Sequence, residues 1–179
     1  MARFRLKAGK HYHCLPPFSV LPWVGAQSMT RTVTFDANCQ YDSAAYNGQD
    51  VNKLFGLSFG FGGVHHNSAR FGWRWSKSDQ CIELLAYCYL NGKRNQDEQL
   101  RFPVVAQVKP GRTVQLRIDY LYNEEWLYVF TVSDKDGWYI WDEDVPAPKN
   151  LPGFGLTHGL YFGGALSASH EMTVQINRT

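Results

Sequence analysis

Long apolar runs, helical periodicity and blocks of like charge are all missing from this chain, and each absence removes a class of protein. No segment approaches the ~20 consecutive apolar residues that a membrane-spanning helix needs, so no membrane partner is expected. The opening MARFRLKAGKHYH is basic but has no apolar h-region, so no signal peptide is expected. Apolar residues nowhere keep a helical period for as much as three turns. Charged residues make up only 19% of the chain, the net charge is +2, and no run of Lys and Arg marks a nucleic-acid footprint. The four cysteines, Cys14, Cys39, Cys81 and Cys88, form no CxxC pair and have no metal-ligand spacing. Cys81 and Cys88 differ in parity, so on one strand they point to opposite faces. Free buried thiols are the expectation, with no disulfide, no metal and no cofactor.

What is present is aromatic and β-prone. Six Trp, ten Tyr and eleven Phe bring aromatics to 15%, a balance that suits strands using rings as packing or as contact surface. A chain of 179 residues is ample for one full core and short for two, so residues 1–179 are read as one domain.

The stretch from His65 to Lys93 carries the densest signal. Two runs of β-branched, aromatic and aliphatic residues flank the polar segment Ser76-Lys77-Ser78-Asp79, which reads as a β-hairpin. Alternation puts Ala69, Phe71, Trp73 and Trp75 on one face and Ser68, Arg70, Gly72 and Arg74 on the other. In the second run Ile82, Leu84, Ala86 and Cys88 lie opposite Cys81, Glu83, Leu85, Tyr87 and Tyr89. A turn centred on Lys77-Ser78 would set Trp73 against Ile82 and Phe71 against Leu84, merging the two apolar faces. The reverse face then carries Arg70, Arg74, Glu83, Tyr87 and Tyr89, with His66 at its rim and Gly72 leaving a gap.

Elsewhere short alternating segments recur between turns. Ala2 to Lys7 turns Phe4 and Leu6 inward, and the Leu21-Pro22-Trp23 region is too interrupted by proline for a central strand. Met29 to Asp36 sets Val33 and Phe35 against Arg31, Thr32 and Thr34. Residues 37–50 read as a long loop, and Leu54 to Phe61 as a strand with glycines at close approaches. Leu100 to Val108 and Thr113 to Tyr122 flank the turn Lys109-Pro110-Gly111-Arg112. Trp126 to Ser133 and Trp138 to Asp144 follow, the latter ending in an acidic run, Asp142, Glu143 and Asp144, expected in a loop. Gly159 to Gly164 and His170 to Asn177 close the chain, with Met172, Val174 and Ile176 inward. About ten strands and no helix predict an all-β, two-sheet antiparallel sandwich whose first and last strands pair.

The strand order, the HHNSARFGWRW…IELLAYCYLNG hairpin and the closing LYFGG…SHEMTVQI resemble the jelly rolls of the concanavalin A-like lectin and glucanase superfamily. Asn52-Lys53-Leu54-Phe55-Gly56, His65 to Trp75 and Tyr161-Phe162-Gly163-Gly164 are similar to uncharacterised bacterial domains of that architecture. The resemblance implies glycan recognition. Glycosidases of the superfamily place paired carboxylates on one strand, about 5–5.5 Å apart in retaining enzymes. Here Glu83 stands alone in Ile82-Glu83-Leu84-Leu85-Ala86-Tyr87, which departs from that pattern. Lyases of the superfamily use an Arg, Gln, His and Tyr set on the concave sheet. Arg70, Arg74, His66, Tyr87 and Tyr161 resemble it, but no Gln-x-His strand occurs.

The residues therefore point first to non-catalytic carbohydrate binding. The candidate site is Arg70, Arg74, Glu83, Tyr87, Tyr89 and His66, with Trp138 and Trp141 as stacking rings beside a proline-broken loop. A bland reading stays open for each: a cross-strand ion pair for Arg74 and Glu83, and core or end-plug packing for the rings. The alternative function is a structural protein of a virion, as a capsid decoration or tail component, and the third is a polysaccharide lyase or glycoside hydrolase. Expected partners are a glycan or other subunits of a larger assembly, with a homo-oligomer open. The expected location is cytoplasmic on synthesis, or within a virion.

Overall fold

The computed structural model describes residues 2–13, 20–25, 27–42, 51–134, 136, 138–163 and 166–178. In chain order the strands are β1 (Ala2–Leu6), β2 (Val20–Val24), β3 (Ser28–Phe35), β4 (Asn52–Phe59), β5 (Ser68–Ser76), β6 (Cys81–Leu90), β7 (Lys93–Arg94), β8 (Val104–Val108), β9 (Thr113–Asn123), β10 (Glu125–Asp134), β11 (Tyr139–Pro146), β12 (Phe154–His158) and β13 (Met172–Arg178). A single 3-10 turn, Ala37–Cys39, is the only helical piece among the described residues. One sheet runs β1-β13-β3-β9-β10-β11, and the other β2-β12-β4-β5-β6-β7 with β8 also on β6. All pairings are antiparallel. The two sheets pack as a sandwich, as the alternation predicts.

The core lies between the inner faces. From β5, Phe71 and Trp73 are fully buried; facing them are Phe130 of β10 and Phe35 of β3, with ring centroids 5.1 Å apart in each pair. Such tilted and edge-on pairs satisfy the ring quadrupoles as well as the packing. Truncating one of these rings to alanine costs about 3–5 kcal/mol by cavity formation. The terminal strands β1 and β13 pair over Ala2↔Ile176 to Leu6↔Met172, tying both ends of the chain into one sheet. Proline confines β2 to a sheet edge, where a missing N–H costs nothing in the ladder.

Several expectations shift. The hairpin closes at Ser76↔Cys81, so Trp73 faces Leu84, Trp75 faces Ile82 and Phe71 faces Ala86. The turn is Lys77 to Gln80. Ser76 and Ser78 hydroxyls donate to Asp79, and Gln80 takes the left-handed conformation that closes it. The slip is two residues, so each side chain keeps its face. Asp142, Glu143 and Asp144 lie within β11 rather than in a loop, paired with Thr131, Phe130 and Val129. Asp142 and Asp144 point to the exposed face, while Glu143, opposite Phe130, turns inward at the sheet edge, where partial burial raises its pKa. The strand expected at Gly159–Gly164 lies earlier, as β12, and Tyr161 makes only isolated bridges. Only Val104–Val108 of the Leu100–Val108 segment is strand, because the Asp97 carboxylate accepts the backbone N–H groups of Gln99 and Arg101 and curls the chain. Arg31 faces inward with Val33 and Phe35, as its parity requires, not outward with Thr32 and Thr34.

Cys39, Cys81 and Cys88 are buried free thiols; Cys14 and residues 43–50 of the long loop lie outside the described residues. No helix among the described residues is long and apolar enough to cross a membrane. No group of three or more His, Cys, Asp or Glu among them is placed to hold a metal ion.

Candidate functional site

Alternation along β4, β5 and β6 aims Lys53, Arg70 and Tyr87 out of the same face of the sheet. Arg70 sits opposite Gly56 on one side and Tyr87 on the other. Gly56 is required there: a Cβ would meet the Ala69 carbonyl and the Arg70 Cα and Cγ, so the absent side chain is what makes room for the arginine. Gly72 serves differently. The gap expected over it is occupied by Val51, whose Cγ1 would lie 2.6 Å from an added Cβ.

Val51 belongs to a small apolar cluster on this outer face, with Leu85, Tyr87, Tyr89 and Phe102. Residues 95–103 fold back over the sheet and stack Phe102 on Tyr87, with centroids 4.3 Å apart. This cluster divides the outward face in two. On one side Arg74 Nε donates to Glu83 Oε2 at 2.5 Å; the pair is only 21% and 12% exposed, and Arg74 borders a groove with Asn95, Asp97 and Arg101. On the other side lies a cleft of about 570 Å³.

The cleft has a buried cationic floor and an aromatic rim. Lys53 and Arg70 are each 7% exposed and Tyr87 is 3% exposed. The Arg70 guanidinium lies 4.7 Å from the Tyr87 ring centroid, and Lys53 Nζ lies 5.0 Å from it on the same ring. Lys53 Nζ also donates to the Gly163 carbonyl at 3.0 Å. Backbone bonds in both directions between Lys53 and Tyr161 fix the Tyr161 segment beside the lysine. Tyr12, His65, Arg94, His158 and Tyr161 also line it. No carboxylate lines the cleft among the described residues.

Arg70 is the outlier. Its Nε is buried without a hydrogen-bond partner, and among the described residues no carboxylate pairs with its guanidinium, which rests against the Tyr87 ring face. Burial pushes its pKa below the ordinary arginine value, opposed by Tyr87, Tyr89 and Cys88. A guanidinium nonetheless stays charged at neutral pH. A buried charge normally brings its own counter-charge; here the space beside it is a cleft.

The neighbouring groups are neutral at pH 7. Burial foremost, then the Arg70, Arg94 and Lys53 charges, lowers the His65 pKa. Burial and the charges of Arg70 and His65 push His158 down to about 4, and its Nε2 shares a 2.8 Å hydrogen bond with the Ser58 hydroxyl. Burial pushes the Tyr87 phenol up to about 12 against the opposing pull of Arg70. At neutral pH the site therefore offers fixed positive charge, a phenolic donor and uncharged imidazoles.

Of the residues singled out in the sequence, the fold brings Arg70 and Tyr87 into the cleft, with Tyr89 behind its rim, accepting from Arg94 Nε at 2.9 Å. Arg74 and Glu83 pair across β5 and β6 beyond the apolar cluster. His66 packs against Gly62 in the preceding turn, and it is His65 that borders the cleft. Trp138 (77% exposed) and Trp141 belong to the β10–β11 hairpin of the other sheet, with Trp141 opposite Val132. Sequence reasoning missed Lys53, Arg94 and His158. Its place directly before the apolar run Leu54–Phe61 was the available signal for Lys53; nothing in the sequence marked the others.

No family model matches the chain, and no curated protein does. Solved structures do. Alginate lyase Aly36B superposes with a TM-score of 0.60 at 13% identity, covering 98% of this chain and 78% of that one. A lysine-and-tyrosine double mutant of that lyase in complex with an alginate tetrasaccharide gives 0.61 at 15% identity over the same shares. The PL-14 alginate lyase from the marine Aplysia kurodai gives 0.50 at 14% identity, covering 98% and 80%. The chain thus has the β-sandwich fold found in these carbohydrate-active proteins.

Proposed function

We propose that this protein recognises an anionic, carboxylate-bearing polysaccharide in the Lys53–Arg70–Tyr87 cleft. The observation that carries the reading is Arg70, a buried guanidinium with no acid beside it among the described residues, facing a cavity. A uronate carboxylate would supply the missing counter-charge through a charge-assisted, bidentate hydrogen bond. Lys53 adds a second positive charge to the floor. Tyr12, exposed at the rim and held edge-on against Tyr161, offers a ring for a pyranose to pack on. The solved lyases that share the fold, one of them holding an alginate tetrasaccharide, support an acidic glycan over a neutral one.

Binding without chemistry is the first form of this proposal. A hydrolase working by paired carboxylates finds neither of them in the cleft lining among the described residues, and Glu83 is occupied by Arg74. A second form, β-elimination, is favoured by one observation: neutral His65 and the protonated Tyr87 phenol stand beside the two cations. In that reaction the C5 proton passes to a base, its electron pair forms the C4–C5 double bond, the C4–O bond breaks, and the departing oxygen takes a proton. Arg70 and Lys53 would stabilise the negative charge that builds on the carboxylate. The particle-component reading draws on no feature of the cleft.

The test is titration calorimetry of the protein with alginate, polygalacturonate and hyaluronate against neutral glucans, with ultraviolet absorbance of unsaturated products followed in parallel. Saturable binding of a polyuronate without new absorbance supports the binding form, and steady growth of absorbance supports the lyase. Equal or absent binding to charged and neutral chains removes the proposal.

A further inference from the structure

A second cavity, of about 310 Å³, lies between the two sheets, bordered by the edge strands β1 and β2. Phe4, Met29 and Ile176 wall it from one sheet, and Leu21, Leu54 and Phe55 from the other. The alternation that buries Met29, Val33 and Phe35 carries Arg31 to the same inner face, and Arg178 is its direct cross-strand partner on β13. Both arginines line the cavity. The Arg31 guanidinium lies 5.9 Å from the Phe55 ring centroid and donates to the Thr30 carbonyl at 2.6 Å.

Like charges directly opposite one another on paired strands repel, and partial burial of Arg31 removes the water that would screen them. No carboxylate lines the cavity, and neither arginine has an ion pair among the described residues. Two cations at the mouth of an apolar chamber form a complementary surface for a molecule that is anionic at one end and hydrocarbon at the other. We propose that this inter-sheet cavity binds a small amphipathic carboxylate, such as a medium-chain fatty acid. The head group bridges Arg31 and Arg178, and the chain runs between Phe4, Leu54 and Ile176. The segment His158–Gly159 borders both this cavity and the polysaccharide cleft, so the two sites are neighbours with different floors.

Calorimetry of the whole chain with decanoate and with decanol separates charge recognition from simple filling of an apolar space. Decanoate is expected to bind at least about tenfold tighter than decanol. Arg178→Gln, at an exposed position, and Arg31→Gln should each bring decanoate close to decanol without changing decanol affinity. Arg178→Gln should also raise the melting temperature of the unliganded protein, since it removes a repulsion. Arg70→Gln, in the other cationic site, should leave decanoate binding intact. Equal binding of acid and alcohol, no binding of either, unchanged decanoate affinity in both inner-arginine variants, or loss of it in Arg70→Gln would each overturn the proposal.

Discussion

The guanidinium of Arg70 lies 4.7 Å from the Tyr87 ring centroid, and among the described residues this ring face holds it while no acid does. A cation over a phenol face recovers about 0.5–2 kcal/mol, well short of what burying an unpaired charge costs. The remainder is available to a bound anion.

Replacing Arg70 with methionine keeps the stem and removes the charge. Polyuronate affinity is expected to fall by about tenfold or more, while stability stays the same or rises because a buried charge has gone. Calorimetry for binding and urea denaturation for folding read the two effects separately. A large loss of stability with binding retained would show that the arginine serves the fold.

Arg74→Ala should behave in the opposite way. It strands the Glu83 carboxylate, which is only 12% exposed, and is expected to destabilise the fold by about 1–3 kcal/mol. Polyuronate affinity should be nearly unchanged, since the apolar cluster separates this pair from the cleft. The double variant Arg74→Ala/Glu83→Ala should recover part of the lost stability in a mutant cycle.

His158 makes stability depend on pH. Its folded pKa is about 4 against an unfolded value of 6.5, so the folded state binds fewer protons between those limits. Stability should therefore fall as pH drops from 6.5 to 4, by about 3 kcal/mol from this group, and its contribution should be flat below. His158→Gln should flatten that part of the profile in chemical denaturation series.

His65 gives binding its own pH dependence. Its pKa is lowered by burial and by the cations around it; a carboxylate bound in the cleft would reverse the electrostatic part and raise it. Binding then takes up a fraction of a proton, so affinity should strengthen as pH falls through the histidine range. Calorimetry in buffers of different ionisation heat measures that uptake, and His65→Gln should abolish it.

The described thiols should be inert in the native protein. Burial, with Asp36 nearby, pushes Cys39 up to about 12, and burial pushes Cys88 well up and Cys81 up. Reaction with an aromatic disulfide reagent should spare all three until denaturant is added. Rapid native labelling of any of them would mean that its strand opens readily.

The sandwich was legible in the sequence because period-two alternation is a local property. Phe71 and Trp73 had to share a face, and Met172 and Val174 likewise, whichever strands they paired with. The hairpin register was less legible, since a shift of two residues leaves every face unchanged and the choice falls to turn hydrogen bonds at Ser76 and Asp79. Arg74 and Glu83 were correctly placed outward, and alternation could not tell that residues 95–103 fold over that same face and set Phe102 on Tyr87.

By itself the sequence determined that Arg70 and Tyr87 point away from the face that carries Phe71 and Trp73; Lys53 it left unassigned. Only the tertiary structure decided that Lys53, Arg70 and Tyr87 meet. They come from three strands, and hydrogen-bond pairing of β4, β5 and β6 sets the register between them. The Tyr161 segment joins from more than a hundred residues away through its backbone bonds to Lys53. Contacts of that range depend on which strands become neighbours, and alternation within one strand carries no information about its neighbours.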